Sequence, residues 1–395
     1  MTQEQKRKCA RLAALPMALL AVCGLYFGAR AVADHQFSAA FRSASEYTAE
    51  QRGGLWNFNG LSGREQQLYV MLEDAMAERG EKTQRTFFVP TEEEFTAAFD
   101  AVLYDNPLYC DLIRAECALV AGDDSAYITL SYLDDGDARR QQLQAYAKTA
   151  ADAVSSLSDA ESALYFNDLI VGSCAYSDES SDVRSTAYDA ALLGRADSYG
   201  YALLYALLCR EAGLDCAVVR GTVQTLEQAG DHAWNVLALD GATGYTDVMW
   251  NDTEGPDGLC LPFHGYYFLS SDEISADHTP LAGLCFPTDG NTQNYYESQD
   301  LCITDAAALD GTLQSLLTDA RHRGAEAVEL WLDPARGITD YALEIAISAA
   351  IDAANAGGNA PQLRQVHRVY RSSANGGGVT VLLFYEENDE QSGET

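Results

Sequence analysis

Lysine is almost missing from this chain of 395 residues: only Lys82 and Lys148 lie beyond residue 33. With 25 basic against 59 acidic residues, the formal net charge is −34. Such a field repels phosphate backbones and anionic lipid headgroups, so nucleic acid is not an expected partner. The ten cysteines contain no C-x-x-C pair, which removes the usual spacing of a structural zinc site. Eight of them beyond residue 33 are too few to form a disulfide scaffold for so long a chain. Cys209 and Cys216 read as buried thiols, while Cys110 with Cys117, and Cys260, Cys285 and Cys302, stay open as pairs. There is no internal repeat and no long low-complexity tract, and no motif calls for a cofactor or a metal. The uncharged run from Leu12 to Phe27 has sixteen residues, short of the ~20 that a spanning helix needs.

What is there begins with a basic cluster, Lys6, Arg7, Lys8 and Arg11, ahead of that uncharged run, with Ala31-Val32-Ala33 after it. This is the order of a secretory leader and its cleavage site. Residues 1–33 are therefore expected to be a signal peptide, cleaved before Asp34, or a membrane anchor. The protein is expected to be extracytoplasmic, either secreted or tethered at the cell surface. The tetrapeptide ending at Cys23 is a poor lipoprotein box, because Val22 is too large for its position.

Residues 34–60 read as a stalk, and 61–124 as a helical N-terminal region. Ser62 with Glu65, Thr91 with Glu94 and Ser158 with Glu161 are three capping boxes ahead of apolar residues at helical spacing. Ala126 to Tyr132 alternates like a strand, and Ala138 to Leu157 is helical. Ala187 to Cys209 is helical but broken near Gly194. Three extended stretches follow, Asp215–Val223, His232–Asp240 and Gly244–Trp250, the last two joined by an Asp240-Gly241 turn. Helices first and an antiparallel sheet afterwards is α+β order. Residues 125–285 read as one domain and 300–386 as a small C-terminal α/β sandwich. The acidic stretch 387–395 is expected to be a disordered tail.

Among six histidines, only His232, in "DHAWN", stands where its neighbours ask for chemistry. Fifteen residues on comes Asp247, in "YTDVMWND", on the expected neighbouring strand. Adjacent antiparallel strands can set an imidazole beside a carboxylate. Ser198 opens the preceding helix in "ADSYGYALLYALLC". If the N-terminus of that helix points at His232, the three make a nucleophile, a base and an orienting acid. Trp234 and Trp250 read as core packing.

These motifs together resemble the transglutaminase-like superfamily of papain-fold cysteine enzymes, over roughly Ala163 to Thr279. The segments "DNPLY" and "YFNDLIVGSCAY" resemble the flanks of exported bacterial members. The resemblance implies an α+β papain-like core, with a nucleophile helix packed on an antiparallel sheet. It further implies acyl chemistry on amides, with His232 as base and Asp247 as its orienter. Gly200, Tyr201 and Ala202 match the nucleophile motif, but Ser198 stands where that family has its cysteine.

A thiol at a helix N-terminus beside a histidine waits as a thiolate, its pKa drawn down to ~3.5–7.5. A hydroxyl must instead lose its proton to the base during attack. Two readings stay open. One is a degenerate cleft that binds peptides or cell-wall-linked chains; the other is a serine-dependent acyl transferase, peptidase or amidase using Ser198, His232 and Asp247. Serine is also a favoured N-cap, so Ser198 can equally serve only its helix. Cys174 is a weaker candidate for a displaced nucleophile. The small-x-Ser-x-Gly elbow of α/β-hydrolases, which Ala196 to Gly200 resembles, needs a preceding strand and the order Ser, Asp, His; neither is expected here.

Overall fold

A computed structural model describes residues 55–385, except 84, 87, 121–123, 178–184, 226–228, 255–259, 282–287, 289–293, 304, 326, 333–337, 357–361 and 374–375. The expected leader, most of the stalk and the acidic tail lie outside the described residues. The stalk expectation ends too late, because Trp56–Asn59 (α1) is helical and its Phe58 is fully buried. Among the described residues, no helix is long and apolar enough to cross a membrane.

The described chain forms two compact units, one holding 61–102 and 114–131, the other 55–60, 103–113 and 132–385. Helices Gly63–Ala77 (α2) and Glu92–Asp105 (α3) start at the Ser62/Glu65 and Thr91/Glu94 boxes. A hairpin of Leu112–Leu119 (β1) and Ala126–Tyr132 (β2) follows. The alternation of β2 buries Ala126, Ile128 and Leu130, and its edge bonds back to the segment after α2 through Leu130 N to Glu81 O and Thr83 N to Ile128 O. That pairing puts β2 with the first unit, not at the start of the second as the sequence reading had it. Strand β1 escaped the sequence reading because most of its residues are exposed and none alternates cleanly.

In the second unit, Gly136–Ala153 (α4) and Asp159–Val171 (α5, opened by the Ser158/Glu161 box) precede a short parallel pair, Ala175–Tyr176 (β3) with Arg195–Ala196 (β4). The break expected near Gly194 is a π-helical turn, Asp189–Leu193, closed by Gly194 at φ 67°. Ser198–Glu211 (α6) is apolar all round, with every residue from Ser198 to Cys209 buried; a helix of that kind belongs in a core. It packs on an antiparallel sheet of Asp215–Gln224 (β5), Ala229–Leu239 (β6) and Ala242–Thr246 (β7). Asp240 and Gly241 both take positive φ, 51° and 82°, the signature of the tight hairpin turn read from the sequence.

Beyond β7 come a single helical turn, Val248–Asn251 (α7), a small hairpin of Asp252–Glu254 (β8) and Cys260–Pro262 (β9), and another turn, Ser271–Ile274 (α8). His278–Pro280 (β10) then pairs with the free edge of β5, making the order β10-β5-β6-β7. This fourth strand, three residues long, carries no pattern that sequence alone could reveal.

Tyr295–Ser298 (α9) leads to the last layer: Cys302–Ile303 (β11), Leu309–Arg323 (α10), Ala327–Leu332 (β12), Asp340–Asn355 (α11), Leu363–Ser373 (β13) and Gly376–Tyr385 (β14). Its sheet runs β11-β12-β14-β13, and its own apolar core includes Leu313, Leu317, Leu330, Ile347 and Val381. The expected α/β sandwich thus exists, but as a layer of the second unit. Buried His264 joins it, its Nδ1 at 3.0 Å from Glu329 Oε1 of β12 and its Nε2 at 2.8 Å from Asp168 Oδ1 of α5.

Gly221 is the position that admits β10. A Cβ there would lie 2.1 Å from Thr279 O and 2.8 Å from Pro280 Cα. Gly221→Ala is expected to push β10 off β5 at ~1–3 kcal/mol, the usual cost of overpacking. Denaturant unfolding measures the loss; wild-type stability would show that β10 yields freely. His264 supplies a pH signature. Burial alone would lower its pKa, but Glu329 and Asp168 raise it to about 9 from an ordinary 6.5. Its contribution is therefore complete below pH 6.5 and lost as pH rises through about 9. The unfolding midpoint is expected to fall across that window, and His264→Gln to flatten the fall. Equal slopes in the two proteins would count against this assignment.

Candidate functional site

Ser198 stands at the start of α6, yet it does not cap it. Asp197, in extended conformation, is the N-cap, its Oδ1 accepting from Tyr199 N at 3.0 Å and Gly200 N at 3.2 Å. The capping role open to Ser198 in the sequence thus belongs to its neighbour. Gly200 lets the preceding chain close over this first turn, since a Cβ there would sit 2.5 Å from Ala196 Cβ. Ser198 Oγ accepts from Ala233 N at 3.3 Å, which sets it against the residue after His232. That is its one side-chain hydrogen bond among the described residues. Asn235 braces the same crossing, its Nδ2 donating to Ala202 O at 2.9 Å.

His232 lies in β6. Asp247 stands one residue past β7 as the N-cap of α7, not within the strand as expected, and its Oδ1 accepts from Trp250 N at 3.1 Å. The two meet as the sequence reading required, with His232 Nε2 at 2.6 Å from Asp247 Oδ2. The other ring nitrogen, Nδ1, is left without a hydrogen bond among the described residues.

Sequence reasoning missed the next group. His278, delivered by β10, puts its Nε2 at 2.9 Å from the same Asp247 Oδ2. Its Nδ1 lies 2.6 Å from Asp277 Oδ1, and Asp277 Oδ2 accepts from the Tyr266 hydroxyl at 2.8 Å. His232, Asp247 and His278 are each at most 1% exposed. The only hint in the sequence was the adjacent Asp277-His278 pair. Since β10 itself left no signal, nothing assigned that pair to the site.

The walls are aromatic. His232 faces Trp234 and Trp250 at centroid distances of 6.2 and 5.5 Å, and His278 faces the same two rings at 4.9 and 4.5 Å. Both tryptophans, read from sequence as core packing, enclose the site. A dry wall of this kind strengthens the hydrogen bonds inside it. Burial alone would raise the Asp247 pKa, but His232 and His278 outweigh it and hold the carboxyl well below the ordinary range. For His278, burial pulls downward and the hydrogen bonds to Asp247 and Asp277 prevail, raising its pKa. Cys174 is not a rival nucleophile. Its thiol is buried beside Tyr201 and Asp252, and burial pushes it up to about 12. Cys110 and Cys117 are both free thiols, so that open pairing does not form.

Residues 146–249 match the model of the transglutaminase-like superfamily, a span that includes Ser198, His232 and Asp247 and ends before His278. The α+β core, with its buried helix against an antiparallel sheet, is of that papain-like type. Among solved structures, a "putative cysteine protease" from Cytophaga hutchinsonii is similar at 15% identity and a TM-score of 0.25, over 35% of this chain and 62% of its own. A "putative protease" from Parabacteroides distasonis is similar at 9% identity and a TM-score of 0.21, over 70% of this chain. The chain thus spans 62% of the length of each. No curated protein matches the sequence.

If Asp197 is the cap, Asp197→Ala is expected to cost ~1 kcal/mol of stability, and Ser198→Ala less. The reverse order, measured by denaturant unfolding, would return the capping role to Ser198.

Proposed function

We propose that this is an extracytoplasmic protein whose transglutaminase-like cleft binds peptides or cell-wall-linked chains without thiol-type turnover, Ser198 occupying the place of the superfamily's nucleophile. The observation that carries this reading is the state of Ser198. Its Oγ is tied to Ala233 N and has no hydrogen bond to His232 among the described residues, and the residue is only 5% exposed. A helix dipole worth ~0.3–1 kcal/mol cannot ionise a hydroxyl. Without a bond to the base, the serine has no ready route for its proton. The indole N–H groups of Trp234 and Trp250 are buried without a partner among the described residues. A buried donor left bare calls for an acceptor, and the carbonyl of an amide would serve. The acidic surface favours neutral or cationic chains over polyanions.

The intact His232–Asp247 pair favours a second reading, a serine-dependent acyl transferase, peptidase or amidase. There Ser198 Oγ would attack the carbonyl carbon as its proton passes to His232 Nδ1. The proton would then go to the departing amine, and Asp247 would hold the ring throughout.

One pair of measurements separates the readings. Ser198→Cys is expected to react with iodoacetamide at neutral pH at least ~10-fold faster than the native thiols, and more slowly once His232 is also replaced by Ala. Wild-type protein is expected to ignore a fluorophosphonate probe, whereas labelling at Ser198 would establish the serine enzyme. An introduced thiol no more reactive than the native ones would sink both readings.

A further inference from the structure

His278 is engaged by carboxylates at both ring nitrogens, 2.6 Å from Asp277 Oδ1 and 2.9 Å from Asp247 Oδ2. A neutral imidazole has one N–H and one bare nitrogen, and a bare nitrogen cannot rest against an ionised carboxylate oxygen at that distance. Either a carboxyl is protonated or the ring carries two protons. A proton shared between Asp247 Oδ2 and an imidazole nitrogen rests on the nitrogen, the more basic of the two, and Oδ1 already accepts from Trp250 N. Asp277 Oδ2 accepts from the Tyr266 hydroxyl, which leaves Oδ1 facing His278 Nδ1, and the same order of basicity places the shared proton on the ring. We infer that His278 is a positioning residue: carrying a proton on each nitrogen, it clamps the Asp247 carboxylate and thereby holds His232 with its proton on Nε2 and a bare Nδ1.

The inference rests on the reading of His232 as the base of the cleft. The groups facing His278 are Asp247, Asp277, His232 and Tyr266, enclosed by Trp234 and Trp250. The raised pKa of His278 agrees with a proton on each of its nitrogens. With His278 charged, a second proton on His232 would crowd two cations, ring centroids 5.5 Å apart, onto one carboxylate oxygen. His232 Nε2 faces Asp247 Oδ2, and Nδ1 has no hydrogen bond among the described residues.

There is a rival. One nitrogen or oxygen from each of His232, Asp247 and His278 lies within 4.8 Å of the others, close enough for a cation to bridge them. A ligating nitrogen must shed its proton, so the two arrangements exclude each other.

Nitrogen-15 NMR of the imidazoles in the wild-type chain at neutral pH decides between them. The expected spectrum shows both His278 nitrogens protonated and His232 as a single Nε2–H tautomer. A bare nitrogen on His278 would overturn the inference. So would one equivalent of zinc retained through dialysis by the wild-type chain and lost on substituting His278. His278→Phe is expected to leave His232 as a mixture of tautomers, while His278→Gln, which keeps an N–H for Asp247, preserves the single one. A single tautomer in a folded His278→Phe chain would also refute the positioning role, and if that variant does not fold, the wild-type spectrum still decides. An inert thiol in Ser198→Cys beside the expected wild-type spectrum would defeat the cleft reading alone.

Discussion

The buried carboxylate of Asp247 is the group on which the site depends. An ionised carboxylate taken out of water costs several kcal/mol unless donors surround it, and here three N–H groups do so, from His232, His278 and the Trp250 backbone. Each donor comes from a different piece of the fold. β6 brings His232, α7 brings Trp250, and β10 brings His278 from thirty-one residues away. Gly221 links the two histidine strands, since it pairs with His232 on one side and Pro280 on the other. The sheet is thus both the scaffold of the carboxylate and the means of neutralising it.

The Ser198 side is arranged separately. Asp197 satisfies the first amides of α6, so Ser198 is spared that duty and its hydroxyl is free to face β6. The division of labour matters chemically. A helix whose first turn is already capped presents its next side chain without depending on it, so the residue there can change between thiol and hydroxyl with little effect on the fold. What the change does affect is the chemistry, because sulfur can wait ionised and oxygen cannot.

Two of the chain's six histidines lie buried between pairs of carboxylates. His278 sits between Asp247 and Asp277, and His264 between Glu329 and Asp168. One braces the site and the other joins the C-terminal sheet to α5. In both cases a buried imidazole bridges two carboxylates, with aromatic rings alongside: Trp234 and Trp250 for one, Tyr295 stacked at 3.8 Å for the other. Histidine suits this role because it can donate from two opposite nitrogens.

Sequence by itself determined the elements with strong local signals. The capping boxes at Ser62, Thr91 and Ser158 started helices where serine or threonine and glutamate can satisfy each other, and the Asp240-Gly241 turn set β6 against β7. From that turn the meeting of His232 with Asp247 followed, because a two-residue hairpin leaves little freedom of register. Only the tertiary structure decided the rest. Strand β1 is too exposed to alternate, β10 is too short to show a period, and His264 and His278 look like any other histidine until distant carboxylates close on them. Local chemistry is written in neighbouring residues, whereas a buried charge acquires its partners only when segments far apart in the chain are packed together.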